Sequence, residues 1–265
     1  MTFQLSNNAI SQGSNRPSYR PEMETRYVFN ALQREAASIS PKEAKVKVSW
    51  RGQDFNIEVT GQSQAMISKW QELMQQKQQE AILSFLSSSN LSSYTDHLGK
   101  TIITPDYLNQ AKKAKASLYP AKDALRNLTN DEEDKRILAN MLLSWLQSIS
   151  DQAMADRLTS QGGDFSAPVD VIFQNKGNPD SKATLGLALF QALFPDAPLV
   201  LIILPRHALL GIGMPHRESE RTLRLQGEEY LLMEVASANK MLVSQAAPSS
   251  WQAINAGWSH TLVVR

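Results

Sequence analysis

Between Ala183 and Leu193 apolar residues fall on nearly every side of a helical wheel (Leu185, Leu187, Ala188, Leu189, Phe190, Ala192, Leu193), which predicts a central, buried helix. Its start is well specified. Asn178 suits the N-cap, Pro179 the first helical position, and Asp180 sets a negative charge against the helix N-terminal dipole. The period then changes. Leu199 to Leu204 is a continuous apolar run of strand length, expected to be buried on both faces. His207 to Gly213, Arg221 to Gln226 and Glu229 to Val235 read as further strands, with Gly227 at the turn between the last two, and His260 to Val264 adds an edge strand.

Upstream, helical periods dominate. Met1 to Glu24 offers little to bury and is expected to be a flexible tail. A helix is predicted over Glu24–Ser38 (stripe Val28, Leu32, Ala36), ending before Pro41. Val46, Val48 and Trp50, then Phe55, Ile57 and Val59, alternate with polar residues and predict a half-exposed hairpin over Lys45–Thr60, closed by a loop of about four residues. A long helix follows over Ser63–Leu86; its apolar repeat is too short and irregular to favour a dimerising coiled coil. Ser87 to Ser93 reads as a polar breaker and His97-Leu98-Gly99-Lys100 as a connection. Pro105 is expected to open a helical segment reaching Leu128, kinked or divided at Pro120. Thr129-Asn130-Asp131-Glu132 matches a capping box before a helix whose core stripe is Leu138, Met141, Leu142, Trp145 and Ile149. Gly162-Gly163-Asp164 is a loop, and Phe165 to Gln174 leads into the central helix. The expected class is α+β: a tail (1–24), a mainly helical region with the hairpin (25–128), and a domain with a buried helix packed on an antiparallel sheet (129–265).

Composition removes several function classes. A net charge of +1 gives no global pull toward nucleic acid or anionic membrane, and no basic, aromatic-interleaved patch suggests nucleic-acid binding. The total absence of cysteine excludes disulfides, thiolate metal sites and cysteine nucleophiles. The longest apolar run, Ala197 to Leu204, is strand-sized, so no membrane insertion is expected. Residues 1–20 lack the apolar core of a signal peptide, so a soluble, cytoplasmic protein is expected; a periplasmic chain whose leader had been removed would read the same. Lys112, Lys113 and Lys115 suit a solvated helix face better than an anion site, and His216 with Glu218 lacks the convergent spacing of a metal site. No cofactor and no metal are expected. His97 and His260 stand alone in sequence, whereas Trp251 and Trp258 are read either as partner anchors or as packing for the C-terminal segment.

From about Leu138 to Ala236 the order of features resembles bacterial transglutaminase-like domains, relatives of the papain-like cysteine peptidases. A helix ending Trp145-Leu146-Gln147-Ser148-Ile149 is followed by a variable loop. The family's Gly-Asp-Cys-x-Asp-Lys-Ala pattern then has its counterpart in Gly177-Asn178-Pro179-Asp180-Ser181-Lys182-Ala183. A Leu-rich helix, a strand, a strand headed by His207, and Glu234 after the aromatic Tyr230 complete the order. The resemblance implies a Cys whose thiolate the helix dipole and a His stabilise, the His as general base and acid, and an acidic residue orienting its ring.

Here the nucleophile position falls on Pro179, the His on His207, the acid on Glu234, and the family's second Asp on Ser181. Proline carries no nucleophile. Ser181 lies about 200° around the helix axis from Pro179, so its hydroxyl is expected to face away from His207. Glu234, in an otherwise apolar strand, needs a partner, and a His207–Glu234 hydrogen bond is expected because it satisfies both residues. The favoured expectation is a catalytically inactive transglutaminase-like protein that binds a protein or peptide partner. A hydrolase or acyltransferase using Ser181 with His207 and Glu234, and a helical interaction protein unrelated to the family, are the alternatives. Oligomeric state is not legible.

Overall fold

The computed structural model describes residues 19–38, 45–50, 53–58, 64–126, 135–237 and 239–264. The expected tail as far as residue 18, and the capping box Thr129–Glu132, lie outside the described residues. The chain divides into two compact units, one spanning Tyr19–Ser92 and the other beginning at Ser93.

In the first unit, α1 (Pro21–Ser38) packs against α2 (Gln64–Ser88). Val28, Leu32, Met74, Ala81 and Phe85 are buried, the Tyr27 ring lies 5.7 Å from that of Phe85, and the Tyr27 hydroxyl shares a 2.9 Å hydrogen bond with Ser84. Between the helices run β1 (Lys45–Trp50) and β2 (Gln53–Glu58), antiparallel, with Val46 opposite Ile57 and Val48 opposite Phe55. Pairing continues to Trp50–Gln53, which leaves two residues between the strands instead of the expected four. Two-residue connections suit the right-handed twist of a hairpin.

The division falls inside β3 (Leu91–Thr95), which pairs with β4 (Thr101–Pro105). The Ser-rich stretch read as a breaker therefore enters a strand, and Pro105 closes β4 instead of opening a helix. Helix α3 (Tyr107–Ala114) starts two residues later and is capped by Asp106, whose side chain accepts the Asn109 N–H at 3.1 Å. A single 3-10 turn (Ala116–Leu118) separates it from α4 (Tyr119–Arg126), with Pro120 in the first turn where its missing N–H costs nothing. Tyr107, Ala111, Leu118 and Leu125 join the same core as the helices that follow, which places the boundary at Ser92/Ser93 and not near residue 128.

Helix α5 (Lys135–Ser148) turns Leu138, Ala139, Leu142, Leu143 and Leu146 inward; Met141 and Trp145 flank that stripe instead of leading it. The pair β5 (Ser150–Asp151) and β6 (Lys176–Gly177) brackets α6 (Arg157–Ser160) and α7 (Pro168–Gln174). Helix α8 (Pro179–Leu193) is the hub. Every residue of it except Pro179 and Gln191 is buried, and it touches α3, α4, α5 and α7 as well as the sheet. Gly186 lets it lie close: a Cβ there would sit 2.8 Å from Leu210 Cδ1 and 3.0 Å from Leu146 Cδ1.

The sheet is antiparallel, in the order β11 (His260–Val264), β7 (Leu199–Leu204), β8 (His207–Ile212), β10 (Glu228–Met233) and β9 (Thr222–Leu225). Leu199, Leu201 and Ile203 face the α8 core; Val200, Ile202 and Leu204 face a second cluster that holds Trp251 of α9 (Pro248–Asn255). A helix-covered core on one face and α9 on the other explain why β7 is apolar throughout. The fold is α+β. Among the described residues no helix is long and apolar enough to cross a membrane. At the far end of the sheet, Arg136 of α5 grips the Glu220 carboxylate with both terminal nitrogens, and the Arg217 N–H adds a 2.8 Å bond.

Gly211 lies mid-sheet, where a Cβ would stand 2.7 Å from Val200 Cγ1 and 3.1 Å from Tyr230 Cβ. Gly211→Ala is therefore expected to cost about 1–3 kcal/mol, read from the urea midpoint at unchanged m. The Arg136 guanidinium lowers the Glu220 carboxyl from 4.5 to about 2. A carboxylate depressed in the folded state contributes stability that is whole above its unfolded pKa and lost as pH falls through the folded one. Unfolding free energy should thus fall between pH 4.5 and pH 2, and Glu220→Gln should flatten that stretch of the acid limb.

Candidate functional site

The residues singled out by sequence lie where the start of α8 meets the β7–β8 turn. Asn178 caps α8 by accepting the Ser181 N–H at 2.8 Å, and its amide donates to Asp164. Pro179 occupies the first helical position and is half-buried. The next residue sets the site's geometry. Arg157 donates from Nε to Asp180 Oδ2 (3.1 Å) and from a terminal nitrogen to Oδ1 (2.5 Å), and the Tyr107 hydroxyl adds 2.7 Å to Oδ2. The remaining Arg157 donors go to the backbone carbonyls of Leu204 and His207, the latter at 3.0 Å. One guanidinium therefore ties the first turn of α8 to both ends of the β7–β8 turn. Burial opposes the Arg157 charge, but the Asp180 carboxylate outweighs it and raises its pKa. Burial, and then the Asp180 charge, lifts the Tyr107 phenol well above its ordinary range, so it stays a donor.

His207 and Glu234 meet. Glu234 follows β10, adjacent to β8, and its Oε2 shares a 2.5 Å hydrogen bond with His207 Nε2. Its Oε1 accepts the Ala247 N–H at 2.9 Å and the Ser250 hydroxyl at 2.7 Å, which anchors α9 to the site. Burial alone would raise the Glu234 carboxyl; the bonds from His207, Ser250 and Ala247 reverse that and hold it below its usual range. An ionised Glu234 can only accept, so Nε2 carries the hydrogen and the lone pair of a neutral ring resides on Nδ1. Nδ1 has no hydrogen-bond partner among the described residues. The imidazole is therefore oriented by its bond to Glu234.

Ser181 lies elsewhere. It has no exposure, and its hydroxyl accepts the Ser166 N–H at 2.9 Å, with no bond to His207. Lys182, also fully buried, donates to Ile149 O and to Asp151, both at 2.5 Å, and closes the β5–β6 side.

Other sequence candidates disperse. Lys112 and Lys113 are exposed. His216 pairs with Glu229 at 2.7 Å, and among the described residues no group of three His, Cys, Asp or Glu is placed to hold a metal. The two tryptophans part company: Trp251 is buried under the Arg221 guanidinium, 3.9 Å from its ring centre, whereas Trp258 is 46% exposed. The histidines that stand alone in sequence are stacked, His97 on Trp258 (5.4 Å) and His260 on Tyr94 (4.2 Å). Arg157 and Tyr107 are the residues that sequence reasoning missed. Their one signal is Asp180, a carboxylate in the first turn of a helix that is almost entirely buried, where it needs a compensating cation. No protein-family model, curated protein or solved structure matches the chain.

Removing one member of a buried pair leaves the other charge uncompensated. Arg157→Met is expected to cost about 3–5 kcal/mol in urea unfolding. Combined with Asp180→Asn it should cost clearly less than the sum of the two single changes; strict additivity would show that the pair is not coupled.

Proposed function

We propose that this chain is a transglutaminase-like protein without acyl-transfer or peptidase chemistry, which acts as a peptide- or protein-binding module. One observation carries the proposal: an oriented His207–Glu234 pair stands beside a helix start that supplies no attacking atom. Pro179 has no nucleophile, both Asp180 oxygens are spent on Arg157 and Tyr107, and the Ser181 hydroxyl is sealed from solvent. A nucleophile needs its base within hydrogen-bond reach, and Ser181 would have to leave its bond to Ser166 to find one. The antiparallel sheet packed on α8 weighs against an unrelated, purely helical interaction protein.

Amidase, peptidase and transglutaminase assays of the full chain should give no turnover above the buffer rate, and turnover that His207→Ala abolishes would sink the proposal. A gain-of-function variant tests the resemblance itself. In Pro179→Cys the thiol should be alkylated with a pKa below the ordinary value of about 8.5, and His207→Ala should restore that value. A thiol that titrates normally in both backgrounds would remove the family assignment.

A further inference from the structure

The two edges of the five-stranded sheet are treated differently. Edge β9 is short and charged: Arg224, 75% exposed, pairs with Glu229 across the strand. Edge β11 reads His260-Thr261-Leu262-Val263-Val264, with no proline and no formal charge, and all five residues are half-buried. Among the described residues its outer side has no paired strand. Unpaired backbone of this kind, without charge or proline to blunt it, is a template for an added strand.

The chain leading into β11, Gly257 to His260, is also one wall of a cleft of about 350 Å³. Tyr94, the β3–β4 turn and the start of α6 form the facing walls. Its rings are arranged as two stacks, Tyr94 on His260 and His97 on the exposed Trp258. Burial lowers the pKa of His260, so that ring is neutral at pH 7. Two carboxylates line the same space. Asp96 spends only Oδ1, on the N–H groups of Leu98 and Lys100, and Asp156 spends only Oδ1, on the Leu158 N–H. The second oxygen of each has no partner among the described residues. Of the cations in the lining, Arg157 is held by Asp180 and two carbonyls, and Lys100, like Asp156, is exposed. With Arg157 neutralised by Asp180, the lining offers aromatic faces and two carboxylates against the single cation Lys100, the complement of a basic side chain.

We propose that the free edge of β11 and this cleft form one site for an extended peptide segment, which pairs with β11 through its backbone and places a lysine or arginine in the cleft. This rests on the peptide-binding proposal above and gives it a location and a ligand chemistry. Backbone pairing supplies sequence-independent affinity, and the pocket supplies selection for the basic residue.

The test is selection of displayed random dodecapeptides on the full chain, followed by titration of a synthetic winner. Enriched peptides should carry Lys or Arg flanked by β-branched residues, and replacing that residue with norleucine should weaken binding at least tenfold. The Asp96→Asn/Asp156→Asn double variant should weaken it similarly without shifting the unfolding midpoint, because asparagine keeps the Oδ1 acceptor of the turn and of the helix cap. Peptide should slow hydrogen exchange at Thr261–Val264. Winners without a basic residue, equal binding by the double variant, or protection confined to another surface would each overturn the site while leaving peptide binding intact. A free chain that is already dimeric with β11 protected would also overturn it, since a second copy then holds the edge. Failure to enrich any peptide would overturn both the site and the binding function.

Discussion

The second unit depends on a buried charge pair. Asp180 opens a helix with almost no exposed surface, in a setting where an unpaired carboxylate is costly. Arg157, from the four-residue helix α6, supplies the compensating charge and directs its remaining donors to the carbonyls of Leu204 and His207. Such a pair contributes little net stability against an apolar replacement of the same shape, because both charges have been taken out of water. Its contribution is positional. Helix α8 can slide or rotate against the sheet only if one of these bonds breaks, so the start of the helix and the head of β8 keep a fixed relation.

That relation holds His207 at two points. Its carbonyl is tied through Arg157 to α8, and its ring is tied through Glu234 to α9 by way of Ser250 and the Ala247 N–H. An apolar core alone does not orient an imidazole; directional bonds at both ends do. In an enzyme such orientation would lower the barrier of a proton transfer. Here the neighbouring first turn presents Pro179, whose side chain carries no nucleophile.

Much of this architecture was legible where a pattern repeats. The strands of β7 and β11 match the predicted limits because continuous or alternating apolar runs bounded by turn residues have few other solutions. The cap of α8 was legible because Asn178, Pro179 and Asp180 each satisfy a local rule at consecutive positions. Elements whose partners are distant were not. Strand β3 takes in Ser92 and Ser93, polar positions that read as a breaker until β4 pairs with it. On α5 both Met141 and Trp145 fit the helical period, but tertiary packing chose the neighbouring stripe through Ala139, Leu143 and Leu146. Arg157 sits in a stretch without periodicity, so nothing local marked it as the cation that Asp180 requires.

The same distinction separates the two histidine environments. The family resemblance pairs His207 with Glu234, and a buried carboxylate after Leu231-Leu232-Met233 gives that pair a physical reason, since it must find a donor. No such necessity links His97 to Trp258 or His260 to Tyr94, since exposed or half-exposed rings can remain solvated. Their stacking is a consequence of where the β3–β4 turn lies against the approach to β11. That a buried charge needs a partner is therefore readable in one dimension, whereas a partner such as Arg157, like arrangements that burial merely permits, becomes visible only in three. Binding surfaces belong to the second kind, because a group that will meet a ligand must first be tolerable in water.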